Sequence, residues 1–199
     1  MAKRLFDIVF SLGWLLLFLP LMLLVALLVR LRLGSPVLFL QERPGLRGRP
    51  FRMVKFRTMT DERGPDGELL PDAQRLTSFG KFLRSTTLDE FPEMWNVFVG
   101  DMSVVGPRPL LMRYLRRYDA FQARRMEVKP GVTGWAQVNG RNAISWDEKF
   151  ALDVWYVDHR TFWLDMKIVV LTFFRVFARS GINAGEGKTM EEFRGKEKE

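Results

Sequence analysis

The run Arg84-Ser85-Thr86-Thr87-Leu88-Asp89-Glu90-Phe91-Pro92 sets two carboxylates side by side just ahead of a proline. Proline is comfortable in a helix only in its first turn, so Pro92 predicts a helix that starts just before it, with Asp89 near the N-cap. Two readings share that geometry. In one, Asp89 caps the helix and Glu90 completes a capping box with Thr87. In the other, the helix dipole keeps Asp89 ionised at a place also suited to phosphate oxygens, where the carboxylate could attack phosphorus or hold magnesium. Composition narrows the chemistry. The 199 residues include no cysteine and one histidine, His159, which removes thiol nucleophiles, thiolate metal sites and multi-histidine centres. The acid, base, nucleophile or metal ligand is then expected to be a carboxylate.

A carboxylate that handles phosphate needs cations to offset the repulsion between the two anions. The candidates are Lys55 and Arg57 in the alternating stretch FRMVKFRT, Arg84, Arg108 within Gly106-Pro107-Arg108-Pro109, and Arg141 after KPGVTGWAQVNGR. Arginine forks match phosphate oxygens two at a time. Two prolines fix the backbone around Arg108 and lower the entropy lost in presenting it. Neither a Walker phosphate loop nor a Rossmann glycine pattern occurs.

The elements that must position these groups begin with a membrane segment. Leu5 to Val29 contains Asp7 as its only charge and would reach ~37 Å as a helix. The whole +8 net charge lies in the first 60 residues, where ten Lys/Arg face two acids. Grease beside positive charge fits an anionic membrane surface better than nucleic acid, which explains only the charge. Pro20 interrupts the segment, and basic residues flank both ends, Lys3 and Arg4 before it and Arg30 and Arg32 after it. A plain spanning helix with a proline kink and a helix-break-helix that returns to the same side are both compatible with that pattern. Beyond the Gly34-Ser35-Pro36 breaker, strands are expected at 37–40 and 51–58, joined by a Gly/Pro/Arg loop. Helices are expected at about 78–85, 90–99, 108–128 and 145–179, with 129–141 irregular. Trp163, Phe173, Phe174 and Arg175 in the last helix suit either a membrane interface or a core.

In this order the motifs are specific, and the chain resembles the small monotopic phosphoglycosyl transferases, also called bacterial sugar transferases. The resemblance rests on the apolar segment with its proline, Gln41-Glu42-Arg43-Pro44-Gly45, Lys55-Phe56-Arg57-Thr58-Met59, Arg84-Ser85 through Leu88-Asp89-Glu90, Gly100-Asp101-Met102-Ser103, Gly106 to Pro109, and Lys129 to Arg141. Within the family it is most similar to the compact form that initiates glycoprotein glycans, including Arg141-Asn142-Ala143-Ile144-Ser145-Trp146. The chain departs in carrying Leu19 before Pro20, where relatives often have serine. The resemblance implies an α+β, mostly helical fold with a short β-hairpin. It also implies a re-entrant membrane helix at 1–33 broken at Pro20, interfacial amphipathic helices, a catalytic domain at 34–184 and a charged flexible tail at 185–199. It implies transfer of a sugar-1-phosphate from a UDP-sugar to undecaprenyl phosphate, releasing UMP, at the cytoplasmic face of the bacterial inner membrane. By that likeness Asp89 is the nucleophile that forms an aspartyl-phosphosugar, and Glu90 assists it. Mg²⁺ lies at the pair, and Lys55, Arg57, Arg84, Pro107, Arg108 and Arg141 bind substrate. Monomer and homodimer are both compatible with it, and the sugar is left open. The competing classes are a glycosyltransferase that releases UDP and an inert membrane scaffold.

Overall fold

The structure, a computed structural model, describes residues 1–140, 144–177 and 192–195. The apolar segment forms the middle of one helix, α1 (Ala2–Leu33). Asp7, Ser11, Val25, Val29 and Leu33 are its buried residues and recur at helical spacing along a single stripe. Leu5, Val9, Leu12, Leu16, Leu19, Leu23, Leu27 and Leu31 form an exposed stripe. The helix runs through the exposed Pro20 without interruption, where the residues leave a kinked helix and a broken one both open and the family resemblance implies a break. A proline costs the helix one hydrogen bond and a local clash, which flanking turns can absorb as a kink. Among the described residues, α1 is the helix long and apolar enough to cross a bilayer.

The chain then forms the expected hairpin, β1 (Leu38–Pro44) and β2 (Pro50–Phe56), with Leu38 opposite Phe56 and Pro44 opposite Pro50. Strand β1 runs further than expected because Gln41 to Pro44 pair with β2 instead of opening a loop. A polar stretch with a short helix, α2 (Asp72–Arg75), leads to α3 (Ser78–Ser85), whose bounds match the expectation. The Thr77 hydroxyl caps α3 by accepting from the Gly80 N–H at 3.0 Å. The expected helix at 90–99 is α4 (Glu93–Val99), preceded by a 3-10 turn, Leu88–Glu90. Gly100 ends α4 at φ 100°, and Arg4 donates to the open carbonyls of Val97 and Phe98 at 2.7 Å each.

Two expectations fail beyond that point. The stretch 108–128 is not one helix. It comprises a 3-10 segment at Met112–Arg117, a four-residue helix, α5 (Ala120–Ala123), and a 3-10 turn at Arg124–Glu127. Asp119 and Gln122 close a capping box, so side chain to backbone bonds start a new helix inside the apolar pattern. Of the stretch expected to be irregular, 129–141, the described residues 129–140 contain regular structure. Strand β4 (Gly131–Thr133) pairs in parallel with β3 (Ser103–Val105), and α6 (Trp135–Asn139) follows. A side chain on Gly131 would place its Cβ 2.1 Å from the Gly106 nitrogen, so only glycine lets these backbones meet. The last helical region is two helices, α7 (Trp146–His159) and α8 (Phe162–Phe177).

The core lies between β2, α4, β3, α7, α8 and the inner face of α1, with Met53, Val97, Met102, Val105, Tyr156 and Ile168 buried in one cluster. A second cluster joins Val25, Val29 and Leu33 of α1 to Phe56 and Leu83. Of the expected tail at 185–199, residues 192–195 are described. Phe193 is buried against Tyr114, Trp146 and Phe150, because one aromatic in a charged segment finds an aromatic pocket.

The polar residues of α1 have a structural use that sequence position concealed. Asp7 accepts from Ser103 Oγ at 3.0 Å and from the Val104 N–H at 2.9 Å. Lys3 pairs with Asp165 and donates to the Val105 carbonyl at 3.1 Å. Replacing Asp7 with Ala leaves a buried N–H and hydroxyl without their acceptor, so unfolding of the detergent-solubilised protein should show a loss of about 2–3 kcal/mol. Asp7→Asn keeps an acceptor oxygen and should lose less. Equal stability of wild type and Asp7→Ala would contradict the assignment.

Candidate active site

Asp89 and Glu90 stand on the 3-10 turn between α3 and α4. Thr87, just ahead of them, adopts φ 60°, a left-handed conformation that a β-branched residue rarely takes. Phe91, just after them, packs edge-on against Trp14 and Phe18 of α1, with centroids 5.2 and 5.3 Å away. The capping-box reading does not hold. Thr87 makes no side-chain cap bond, and the Glu90 carboxylate turns to other partners. Its Oε1 accepts from Lys55 Nζ at 2.7 Å and from Arg108 Nη2.

A strand, a turn and a proline-bracketed loop therefore meet on one carboxylate. Lys55 is the penultimate residue of β2. Arg108 is held between the buried Pro107 and Pro109, and the Pro107 carbonyl accepts from the Gly131 N–H at 3.1 Å. Pro107 thus fixes backbone, with its ring packed away from solvent. Arg84, in the last turn of α3, donates through Nε to Thr58 Oγ1 at 3.1 Å and lies close enough to stabilise ionised Asp89.

Arg57 is not brought to the site. Lys55 and Arg57 would share a face if the strand continued, but β2 ends at Phe56. Arg57 turns to the Ser35 carbonyl at 2.9 Å and to Asp61 at 2.8 Å, bracing the exit from α1. Arg141 lies outside the described residues.

Sequence reasoning missed Glu93. It is fully buried, with Oε1 3.0 Å from Lys55 Nζ, and neither oxygen receives a well-directed hydrogen bond among the described residues. Its signal was available, since residues three apart on a helical turn share a face.

The electrostatics divide the adjacent carboxylates into different roles. Burial, reinforced by the charge of Glu90, raises the Asp89 pKa to about 6, against the opposing pull of Lys55, Arg84 and Arg108. Burial would raise Glu90 as well, but Arg108 and Lys55 outweigh it and hold Glu90 well below the usual carboxylate range. Burial and the Glu90 charge push Glu93 upward. Glu90 is a permanently charged anchor. Asp89, only 7% exposed, has no hydrogen-bond or ion-pair partner among the described residues, and its pKa is pushed up to about 6. Paired groups driven apart in this way mark a division of chemical labour. No group of three or more His, Cys, Asp or Glu among the described residues forms a ready metal cage.

A family model described as bacterial sugar transferase matches residues 1–179. The chain belongs to that family. The transferase is 55% identical over 193 residues to an uncharacterised sugar transferase, EpsL, of Bacillus subtilis, covering 97% of this chain and 96% of that one. It is 40% identical over 185 residues to a UDP-glucose:undecaprenyl-phosphate glucose-1-phosphate transferase of Klebsiella pneumoniae, covering 88% of this chain and 40% of the relative. It is 38% identical over 197 residues to an undecaprenyl-phosphate galactose phosphotransferase of Salmonella typhimurium, covering 90% and 41%. The transferase thus spans nearly all of EpsL and less than half of these two longer relatives.

Asp89 should cost the transferase stability at neutral pH. Its folded pKa of about 6 lies above the ordinary 3.8, so the folded state disfavours the ionised form. That cost is complete above pH ~6 and disappears as pH falls towards 4. Asp89→Asn should therefore stabilise the protein at pH 7.5, by up to about 3 kcal/mol, and the gain should vanish by pH 4. Denaturant unfolding at both pH values measures it, and a variant less stable at pH 7.5 would contradict the reading.

Proposed function

We propose that the transferase moves a sugar-1-phosphate from a UDP-sugar to undecaprenyl phosphate, with Asp89 as nucleophile. The observation that carries this reading is the pairing of an unbonded, buried Asp89 with a neighbour, Glu90, that Lys55 and Arg108 already neutralise. Family membership and the activities that the longer relatives are named for support the substrate classes.

In the first step an Asp89 carboxylate oxygen attacks the β-phosphorus of the donor. The bond from that phosphorus to the bridging oxygen breaks, UMP departs and an aspartyl-phosphosugar remains. In the second step a phosphate oxygen of undecaprenyl phosphate attacks the same phosphorus, the bond to Asp89 breaks and the carboxylate is regenerated. Arg84 and Arg108 are suited to take phosphate oxygens as negative charge builds on them. Glu90 holds Lys55 and Arg108 in place through both steps. Arg141 is proposed as a further phosphate contact on resemblance alone.

The donor set suits magnesium in one mode. Mg²⁺ favours one or two carboxylates together with substrate phosphates over an all-protein cage. Asp89 offers unbonded oxygens of that kind, with Glu90 beside it. When bound there, Mg²⁺ would neutralise diphosphate charge and steady the departing UMP.

The same reading extends to the membrane. Lys3, Arg4 and Asp7 bond to α4, β3 and α8, while Val25, Val29 and Leu33 pack on Phe56 and Leu83. Both ends of α1 are held by one folded domain, which supports a helix that enters and leaves on the same side. Its outer stripe, with the exposed Trp163, Val170, Phe173 and Phe174 of α8, supplies the apolar surface such an arrangement needs. The proposed location is the cytoplasmic face of the inner membrane.

The test is nucleotide release by detergent-solubilised protein with undecaprenyl phosphate, Mg²⁺ and a panel of UDP-sugars. UMP should appear with at least one donor, and Asp89→Asn should lose about a thousandfold or more. Because Asp89 must be ionised to attack, kcat/KM should fall about tenfold per unit below pH ~6. Release of UDP, or an undiminished Asp89→Asn, would overturn the proposal.

A further inference from the structure

Away from the carboxylates, Arg125 and Asp153 form an ion pair in which the residues are 3% and 2% exposed. Arg125 belongs to the 3-10 turn at Arg124–Glu127 and Asp153 to α7. Asp153 Oδ2 accepts from Nε at 3.0 Å and from Nη2 at 2.7 Å. Nη1 donates to the Tyr118 hydroxyl at 3.3 Å. Nη2 also donates to the backbone carbonyl of Arg108 at 2.7 Å, and the guanidinium lies 5.6 Å from the Phe150 ring centroid.

A buried ion pair is poor evidence of a stabilising device, because desolvating two charges offsets most of their attraction, and well-packed apolar residues often serve as well. What the pair supplies here is direction. The planar fork bonds Asp153 on one side and the Arg108 carbonyl on another, a geometry that a lysine ammonium does not reproduce. The Arg108 backbone is then pinned from two sides. Gly131 holds the preceding carbonyl, that of Pro107, and Arg125 holds its own.

We infer that Arg125, anchored by Asp153, is a positioning residue of the transferase that aims Arg108 at Glu90 and at the substrate phosphate. It touches neither. Its effect passes through the Pro107-Arg108-Pro109 backbone, where a displacement of about 1 Å is enough to cost a hundredfold in rate. The kinetic consequence rests on the function proposed above, whereas the placement of Arg108 does not.

The experiment therefore has two arms. In the kinetic arm, Arg125→Lys and Tyr118→Phe are each made in the wild type and in an Arg108→Lys background, with kcat, KM and thermal midpoint measured. Arg125→Lys should lower kcat/KM about tenfold to a hundredfold, mostly in kcat, when Arg108 is present. It should lose much less when Arg108 is already replaced, because the two changes act on one interaction. Tyr118→Phe, which removes a bond not directed at Arg108, should change kcat little. Equal losses in both backgrounds would mean that Arg125 only stabilises the fold, and would overturn the inference.

In the second arm, the ¹⁵Nε–H signal of Arg108 is followed by NMR in arginine-labelled protein. Arg125→Lys should shift or broaden it, and Tyr118→Phe should leave it in place. If the wild type releases no UMP, the proposed function fails while this arm still decides the positioning. An unmoved signal in Arg125→Lys would reject it. Should Arg125→Lys not fold, Asp153→Asn frees the same guanidinium from its charged anchor and is held to the same non-additivity and the same shift.

Discussion

A carboxylate taken out of water has to be met by cations, and at Glu90 that requirement gathers the site. Lys55 is 35 residues away in sequence and Arg108 is 18 away, yet both bond one oxygen of Glu90. The hairpin brings its penultimate residue within reach of that oxygen. The parallel pair of β3 and β4 matters for the same reason, since it carries the chain into the proline-bracketed loop that presents Arg108. Removing either cation would leave charge in a poorly solvated place, which is costly in a way that breaking an exposed ion pair is not.

Charge satisfaction at Glu90 also explains why Asp89 is different. Two adjacent carboxylates cannot both be stabilised by the same few cations. Glu90 takes the direct bonds, and Asp89 receives only the more distant field of Lys55, Arg84 and Arg108. The neighbour that takes both cations on one oxygen is held as an anchor, and the neighbour left without a bond among the described residues is the one proposed for chemistry. Fold and site are thus linked through one unequal division of positive charge.

Much of this was legible in the residues. Pro92 announced the start of a helix, the pattern at 78–85 gave α3, and alternation gave the hairpin. The adjacent acids and the three basic partners Lys55, Arg84 and Arg108 stood out by type. What was hidden depends on contacts distant in sequence. Lys3 and Arg4 look like charges flanking a membrane segment, but their partners lie at Asp165 and at the end of α4. Arg57 has the right type and spacing, and only the end of β2 at Phe56 turns it away. The β3–β4 pairing joins three-residue strands that no local pattern marks, and it depends on the absent side chains of Gly106 and Gly131. The apolar periodicity of 108–128 was real, but the capping box at Asp119 broke it into short turns.

The edge-on packing of Phe91 against Trp14 and Phe18 has a consequence of its own. Phe91 is covalently next to Glu90, so on the proposed reading, with α1 in lipid, the depth of that helix sets the height of the carboxylates above the plane of the headgroups. On the proposed reading, an acceptor confined to the bilayer delivers its phosphate at nearly constant depth, and reaction needs only lateral diffusion to bring it in. The aromatic contact then works as a depth gauge that turns a search in three dimensions into one in two.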